Sequence, residues 1–257
     1  MPRLSLGLGV QNIRKVGGVA PFSPADISGL SLWLKADAGV TLLMSNVTAW
    51  ADQSGNGRSV TVASLPAFTA SSINGKPTID FNGATQFVDA LTPAFVGNNN
   101  FSVIWAFKYV GDSIVGDGYS PNVSFLSDTS SDLGAFHYIK NESKYSASYP
   151  LAFNGWGAYD YTEEEFTYSD GSNYILEFVS NPDSENFSVL RNNTIEGTGS
   201  IGTAASSDAI GIRIAGQQSP SRRANIKMAE IMVYNSTLTS PQLGQLRGYL
   251  NTKYAIY

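Results

Sequence analysis

The chain has 257 residues, no cysteine, a formal net charge of −5 and 14% charged side chains. The missing thiols exclude disulfides and thiolate-held zinc, so packing alone must hold the fold. A weakly charged, net acidic surface argues against nucleic acid and anionic membranes as partners, and an all-β sandwich of this length forms one domain whose core needs no staple.

Residues 1–24 read as an arm or linker, and residues 25–257 as the domain. In the arm, Leu4, Leu6, Leu8 and Val10 alternate with small or polar residues ahead of Arg14, and Gly17-Gly18, Pro21 and Pro24 follow as a hinge. Such a period-2 stretch can add a strand to a sheet edge, on its own domain or on a neighbour. The competing reading is a disordered tail. The apolar alternation is too short and interrupted for a secretory signal, and no window has the length of a membrane span.

Leu30, Leu32 and Leu34 alternate with Ser31, Trp33 and Lys35, which predicts a half-buried strand. Trp50 and the turn Asp52-Gln53-Ser54-Gly55-Asn56-Gly57 follow. Thr78–Phe81 and Gln86–Val88 are expected to form a hairpin around Asn82-Gly83. In Phe101–Val110, the residues Phe101, Val103, Trp105, Phe107 and Tyr109 mark one core-facing side. Further strands are expected at Ser124–Ser127, Ala135–Ile139, Tyr174–Ser180, Phe187–Arg191 with Thr194–Glu196 across Asn192-Asn193, Ile210–Ala215 and Ile226–Tyr234. A capping box at Thr239–Gln242 opens the single helix, about 240–253, whose apolar stripe is Leu243, Leu246, Leu250 and Tyr254. Many short strands and one late helix specify an all-β, two-sheet antiparallel sandwich of jelly-roll type.

Chemistry-bearing patterns are few. Asp52, Ser54, Asn56 and Gly57 reproduce the first half of an EF-hand loop, but Ala63 stands at the twelfth position, where a bidentate Glu should close the shell. Asp52 and Asn56 are therefore read as capping turn amides, with Ca2+ as the alternative and no other metal or cofactor expected. Gly197-Thr-Gly199-Ser-Ile-Gly202 lacks the strand-to-helix setting of a dinucleotide site and reads as a flexible turn. His137, the single histidine, has no GxSxG partner, and no strand offers the spaced carboxylates of a glycosidase, so no catalytic residue is assigned. Glu230, expected to share a face with Met228, Met232 and Tyr234, needs a partner such as Arg213 or Arg247, or a groove.

The aromatic-rich insertion Ser143–Asp170 is the most suggestive segment. Tyr149, Trp156, Tyr159, Asp160 and Tyr161 are its ligand-binding candidates, because aromatic faces stack on sugar rings while carboxylates accept from hydroxyls. Three readings stay open for the segment: a satellite core, a subunit interface and a glycan platform.

Four stretches, LWLKADAGV at Leu32–Val40, VTAWADQSGNG at Val47–Gly57, INGKPTIDFNG at Ile73–Gly83 and the run Ala229–Tyr254, resemble the LamG-like branch of the concanavalin A-like lectin/glucanase superfamily. The resemblance runs in motif order from about Pro24 to Tyr257. It implies a concanavalin A-like jelly roll and a structural Glu at position 230. Such modules often carry calcium, but their ligand set finds no residue-by-residue match here. Modules of this kind occur in bacteriophage virion and bacterial surface proteins. The implied function is a non-enzymatic virion protein, either a tail-fibre or receptor-binding component that grips host glycans or a capsid-decoration protein. It would be homo-oligomeric, would contact other virion proteins and would be assembled in the host cytoplasm without a signal peptide. The alternative is a glycan hydrolase of the same superfamily.

Overall fold

The computed structural model describes residues 21–96, 100–111, 119–127, 132–139, 151–155, 158–161, 168–181, 186–200, 209–216 and 222–257. The arm residues Leu4, Leu6, Leu8, Val10 and Arg14, together with Tyr149 and Trp156, lie outside these. In chain order the strands are β1 (Leu30–Lys35), β2 (Val40–Leu43), β3 (Asn46–Trp50), β4 (Val60–Thr61), β5 (Ala67–Ile73), β6 (Lys76–Asp80), β7 (Val88–Val96), β8 (Ser102–Gly111) and β9 (Tyr119–Ser127). They continue with β10 (Asp132–Ile139), β11 (Leu151–Gly155), β12 (Ala158–Tyr161), β13 (Asn173–Asn181), β14 (Asn186–Arg191), β15 (Thr194–Ser200), β16 (Ala209–Ile214) and β17 (Asn225–Tyr234), and the helix α1 (Ser240–Tyr254) closes the chain.

Two antiparallel sheets result. The larger runs β15-β14-β13-β8-β17-β6-β5-β3-β2, with β1 also on β17 and β4 on β3; the smaller runs β12-β11-β10-β9-β16-β7. Between them lies a core that includes Phe101, just before β8, and Val103, Trp105, Phe107 and Tyr109 within it, as their alternation predicts. A second core lies between the larger sheet and α1, where Leu243, Leu246, Leu250 and Tyr254 meet Trp33, Ile104, Ile175 and Met232. The helix thus buries the face of β1 expected to stay half-exposed: Trp33 is only 7% accessible. Gln242 accepts the Thr239 backbone N–H at 2.9 Å, which fixes the helix start.

The hairpin expectation fails at Asn82-Gly83. β6 belongs to the larger sheet and β7 to the smaller. The Asn82 side-chain oxygen accepts the N–H groups of Ala84, Thr85 and Gln86, so this Asn-Gly marks a crossover between sheets rather than a reversal within one. Gly83 has φ +67°, and a Cβ there would sit 2.8 Å from Asn225 Cβ. The other Asn-Gly, Asn74-Gly75, joins β5 to β6, with both residues at positive φ as a type I′ turn requires. The Gly197–Gly202 segment is also not a turn at its start: Gly197 and Gly199 pair with Val189 and Phe187 inside β15. The aromatic insertion, expected as irregular chain, contributes β11 and β12 to the edge of the smaller sheet.

Candidate functional site

Asp52 follows β3, and its carboxylate is occupied by the protein's own donors. It accepts the backbone N–H of Trp33 at 3.0 Å, of Ser54 at 2.9 Å and of Arg58 at 3.0 Å, and the Ser54 hydroxyl at 2.8 Å. Burial pushes this carboxyl up, but the donors from Ser54, Trp33 and Arg58 together outweigh it and hold its pKa below the ordinary value. Asn56 donates its side-chain amide to the Leu30 carbonyl at 2.9 Å and the Ser31 carbonyl at 3.2 Å. Both residues therefore tie the turn to β1.

The charged residues beneath α1 are buried deeper. In β17, Ile226, Met228, Ile231 and Val233 face the inter-sheet core, while Ala229, Met232 and Tyr234 face the helix. The alternation changes phase at a register shift between Met228 and Glu230. That bulge separates Glu230 from the face of Met228 and delivers it under the helix. There, Oε1 accepts from Trp33 Nε1 at 2.6 Å and the Tyr249 hydroxyl at 3.0 Å; Oε2 accepts from Lys253 Nζ at 2.8 Å and the Tyr254 hydroxyl at 2.8 Å. Lys253 also reaches Asp37, at 2.9 Å. Burial and then the Glu230 charge push the phenols of Tyr249 and Tyr254 up, which keeps them as donors.

The partners expected for Glu230 are engaged elsewhere. Arg247 donates to Glu177 of β13 at 3.0 Å, and Arg213 grips Asp89. Glu177 is 1% exposed, its Oε1 has no hydrogen-bond partner, and burial, partly offset by Arg247, raises its pKa to about 7. Beside this pair a groove of about 430 Å³ is lined by Asn193, Arg247, Asn251 and Tyr257. A second, more apolar groove of about 570 Å³ lies between Phe22 and Tyr249.

The smaller sheet carries a polar row on the side away from the inter-sheet core. Val88, Ala90, Val123, Ile212 and Ile214 face inward, which turns the alternating positions Asp89, Ser124 and Arg213 to the other side of the sheet, where Ser124 and Arg213 are nonetheless buried. Arg213 makes a two-pronged ion pair with Asp89, its Nη2 at 2.8 Å, and lies 4.5 Å over the Phe87 ring, with Arg223 at 4.7 Å. The register extends this row from Asp89 through Arg213, Ser124, Ala135 and Asn154 to Tyr159. Tyr161 pairs with Ala152 two residues on, whereas Asp160 pairs with Phe153, in the row that contains Val123 and Ile214. Residues 159 and 161 of β12 therefore share a row parity in the register that residue 160 does not.

Sequence reasoning singled out Tyr159, Asp160 and Tyr161 without predicting the strand β12, named Arg213 only as a partner for Glu230, and passed over Asp89 and Glu177. The available signal was a lone charge inside each apolar strand, and it could not say which pairs meet. Among the described residues no group of three or more His, Asp or Glu could hold a metal ion, and no helix is long and apolar enough to cross a membrane.

No protein-family model matches the chain, and no curated protein matches it in sequence. Solved structures do share its fold. A Trypanosoma rangeli sialidase in complex with sialic acid is 15% identical, with a TM-score of 0.61, over 88% of this chain and 33% of that one, so the chain spans about a third of the sialidase. Domain 4 of AbnA, a GH43 extracellular arabinanase from Geobacillus stearothermophilus solved with arabinotriose, is 14% identical over 85% of this chain and 98% of that one, with a TM-score of 0.61. The binding domain of Paraclostridial Mosquitocidal Protein 1 is 13% identical over 89% and 54%, with a TM-score of 0.60. At these identities the likeness is one of fold. The chain is a protein of two antiparallel sheets with one C-terminal helix, an architecture it shares with part of a sialidase, domain 4 of an arabinanase and the binding domain of a mosquitocidal protein.

Proposed function

We propose that the chain is a non-catalytic carbohydrate-binding module on a concanavalin A-like jelly roll, with the outward face of the smaller sheet as the glycan surface. One observation carries the reading: the register aligns residue 159 with the row of the Asp89–Arg213 pair, which lies on the side turned away from the core, and residue 161 has the same row parity. Tyrosine rings stack on the apolar faces of sugars, and a fixed carboxylate and guanidinium discriminate hydroxyl patterns. The sialic acid and arabinotriose named with the two hydrolase structures support this choice of ligand class. Trp156, which falls between β11 and β12 in sequence, and Tyr149 belong to the same proposal.

Non-catalysis is supported by the way Glu230 is spent on Trp33, Tyr249, Tyr254 and Lys253. The occupied carboxylate of Asp52 supports a module that works without calcium. A finer role, as a tail-fibre or decoration component of a bacteriophage virion docked through Leu4–Val10 and Arg14, is supported by the sequence resemblance alone.

Calorimetric titration with arabinotriose and with sialyllactose tests the glycan reading. Tyr159→Ala and Tyr161→Ala should each weaken binding by about tenfold or more, consistent with loss of one stacking ring, while Asp160→Ala should leave it unchanged. Binding that ignores both tyrosines, or cleavage of either sugar, overturns the proposal.

A further inference from the structure

At the end of the larger sheet opposite β15, the edge strand β2 has β3 on one side and, among the described residues, no strand on the other. Natural edges are usually blunted by charge, proline or a covering segment. This one is not: residues 38–51 and 59–75 contain no charged side chain, although the chain has 37 Lys, Arg, Asp and Glu residues, the sum of 16 and 21. Instead the edge is apolar and open. Leu42 is 41% exposed, Leu43 61% and Met44 92%.

The backbone adds a second observation. Met44, at the turn from β2 to β3, has φ +58°, and Leu65, itself 39% exposed, has φ +49°. Left-handed conformations favour Gly and Asn, and a long apolar side chain gains nothing there from the fold when it points into water. The two sites are neighbours: Phe68 donates its N–H to the Ser45 carbonyl at 2.8 Å, and Val47 donates to the Pro66 carbonyl at 2.8 Å. Two large apolar residues are thus held, against their backbone preference, on one neutral rim beside a strand that, among the described residues, is paired on one side only.

We propose that this rim is a self-association surface, in which β2 pairs antiparallel with β2 of a second copy and the Leu43, Met44 and Leu65 side chains close the contact. A second copy fits for an electrostatic reason. Each chain carries a net charge of −5, so two copies repel except through surface that lacks charge, and this rim is such a surface. Antiparallel pairing of one edge with itself is a two-fold, self-complementary contact that closes at the dimer. With a four-residue strand at its centre, the interface falls at the small end of the size range, and the dimer should dissociate at roughly micromolar concentration. Pairing would also double any glycan site the chain carries, although the inference does not depend on one.

Sedimentation velocity across a concentration series of the full chain tests it. The wild type should pass from monomer to dimer, and Leu43→Asp should weaken association by about tenfold or more. Met44→Asn should do two things at once: raise the thermal midpoint by relieving the left-handed residue, and weaken the dimer. Ile195→Asp, which removes a residue 64% exposed on β15, should leave association unchanged. A chain that stays monomeric throughout, or a dimer that ignores both Leu43→Asp and Met44→Asn, overturns the proposal. So does a dimer that those two variants spare but that Leu6→Asp with Leu8→Asp abolishes, since the contact would then belong to the N-terminal segment.

Discussion

Two glutamates sit under the same helix, equally hidden from water, and the protein treats them in opposite ways. Glu230 is 0% exposed, and each of its oxygens takes two donors, from Trp33 and Tyr249 on one side and Lys253 and Tyr254 on the other. Glu177 is 1% exposed and has one guanidinium, with Oε1 left bare. Desolvation is therefore answered at Glu230 and only half answered at Glu177, whose pKa rises to about 7. Burial alone does not decide whether a carboxylate supports a fold; the number and charge of the donors that meet it do.

The largest effect expected from breaking this contrast is at Glu230. Glu230→Ala leaves the Lys253 ammonium, an indole N–H and two phenols without their shared acceptor beneath α1. It should cost about 3–5 kcal/mol in urea denaturation, the range for removing one partner of a buried ion pair. A loss under about 1 kcal/mol would mean that water or Asp37 takes over the acceptor role.

Arg247→Met should act at Glu177, with an effect that depends on pH. The folded-state pKa of Glu177 lies above its unfolded value of 4.5, so between pH 4.5 and about 7 the folded chain binds more protons and stability falls as pH rises. Arg247 opposes that rise. Without it the folded pKa moves higher and the decline continues past pH 7. The variant should therefore be close to wild type at pH 5 and less stable by about 1–3 kcal/mol at pH 8. Equal losses at both pH values would show that Arg247 contributes through the packing of its stem.

How much of this was readable in advance divides by range along the chain. The helix was legible because its cap and its apolar spacing are local, and Leu243, Leu246, Leu250 and Tyr254 are all buried. The Asn192-Asn193 hairpin was legible for the same reason, with φ +47° and +74° at its two turn residues. Asn74-Gly75 and Asn82-Gly83 share one dipeptide, yet the first reverses the chain within a sheet and the second sends it across. What separates them is the Asn82 side chain bonded to three following amides and a close approach to Asn225 from the far end of the sequence. The β2–β3 hairpin was invisible because its turn uses Met44 where Gly or Asn would have announced it. Glu230 was misplaced because a single bulge inverts every later side chain of a strand, and no local residue pattern encodes it.

The smallest expected effect makes the finest test of the contrast. Glu177→Gln removes a charge that burial already disfavours and keeps an oxygen able to accept from Arg247. At pH 5, where the folded carboxyl is protonated, the substitution exchanges one neutral acceptor for another of similar shape and should change stability by less than about 1 kcal/mol. At pH 8 the wild type must hold an ionised carboxylate with one bare oxygen, and the amide need not, so the variant should equal or exceed wild type there. The decline in stability between pH 4.5 and about 7 attributable to this residue should vanish. The same exchange at Glu230, Glu230→Gln, should be costly, because Lys253 would lose the carboxylate that pairs with it. If the two amide variants behaved alike, donor count would not be what distinguishes the two sites.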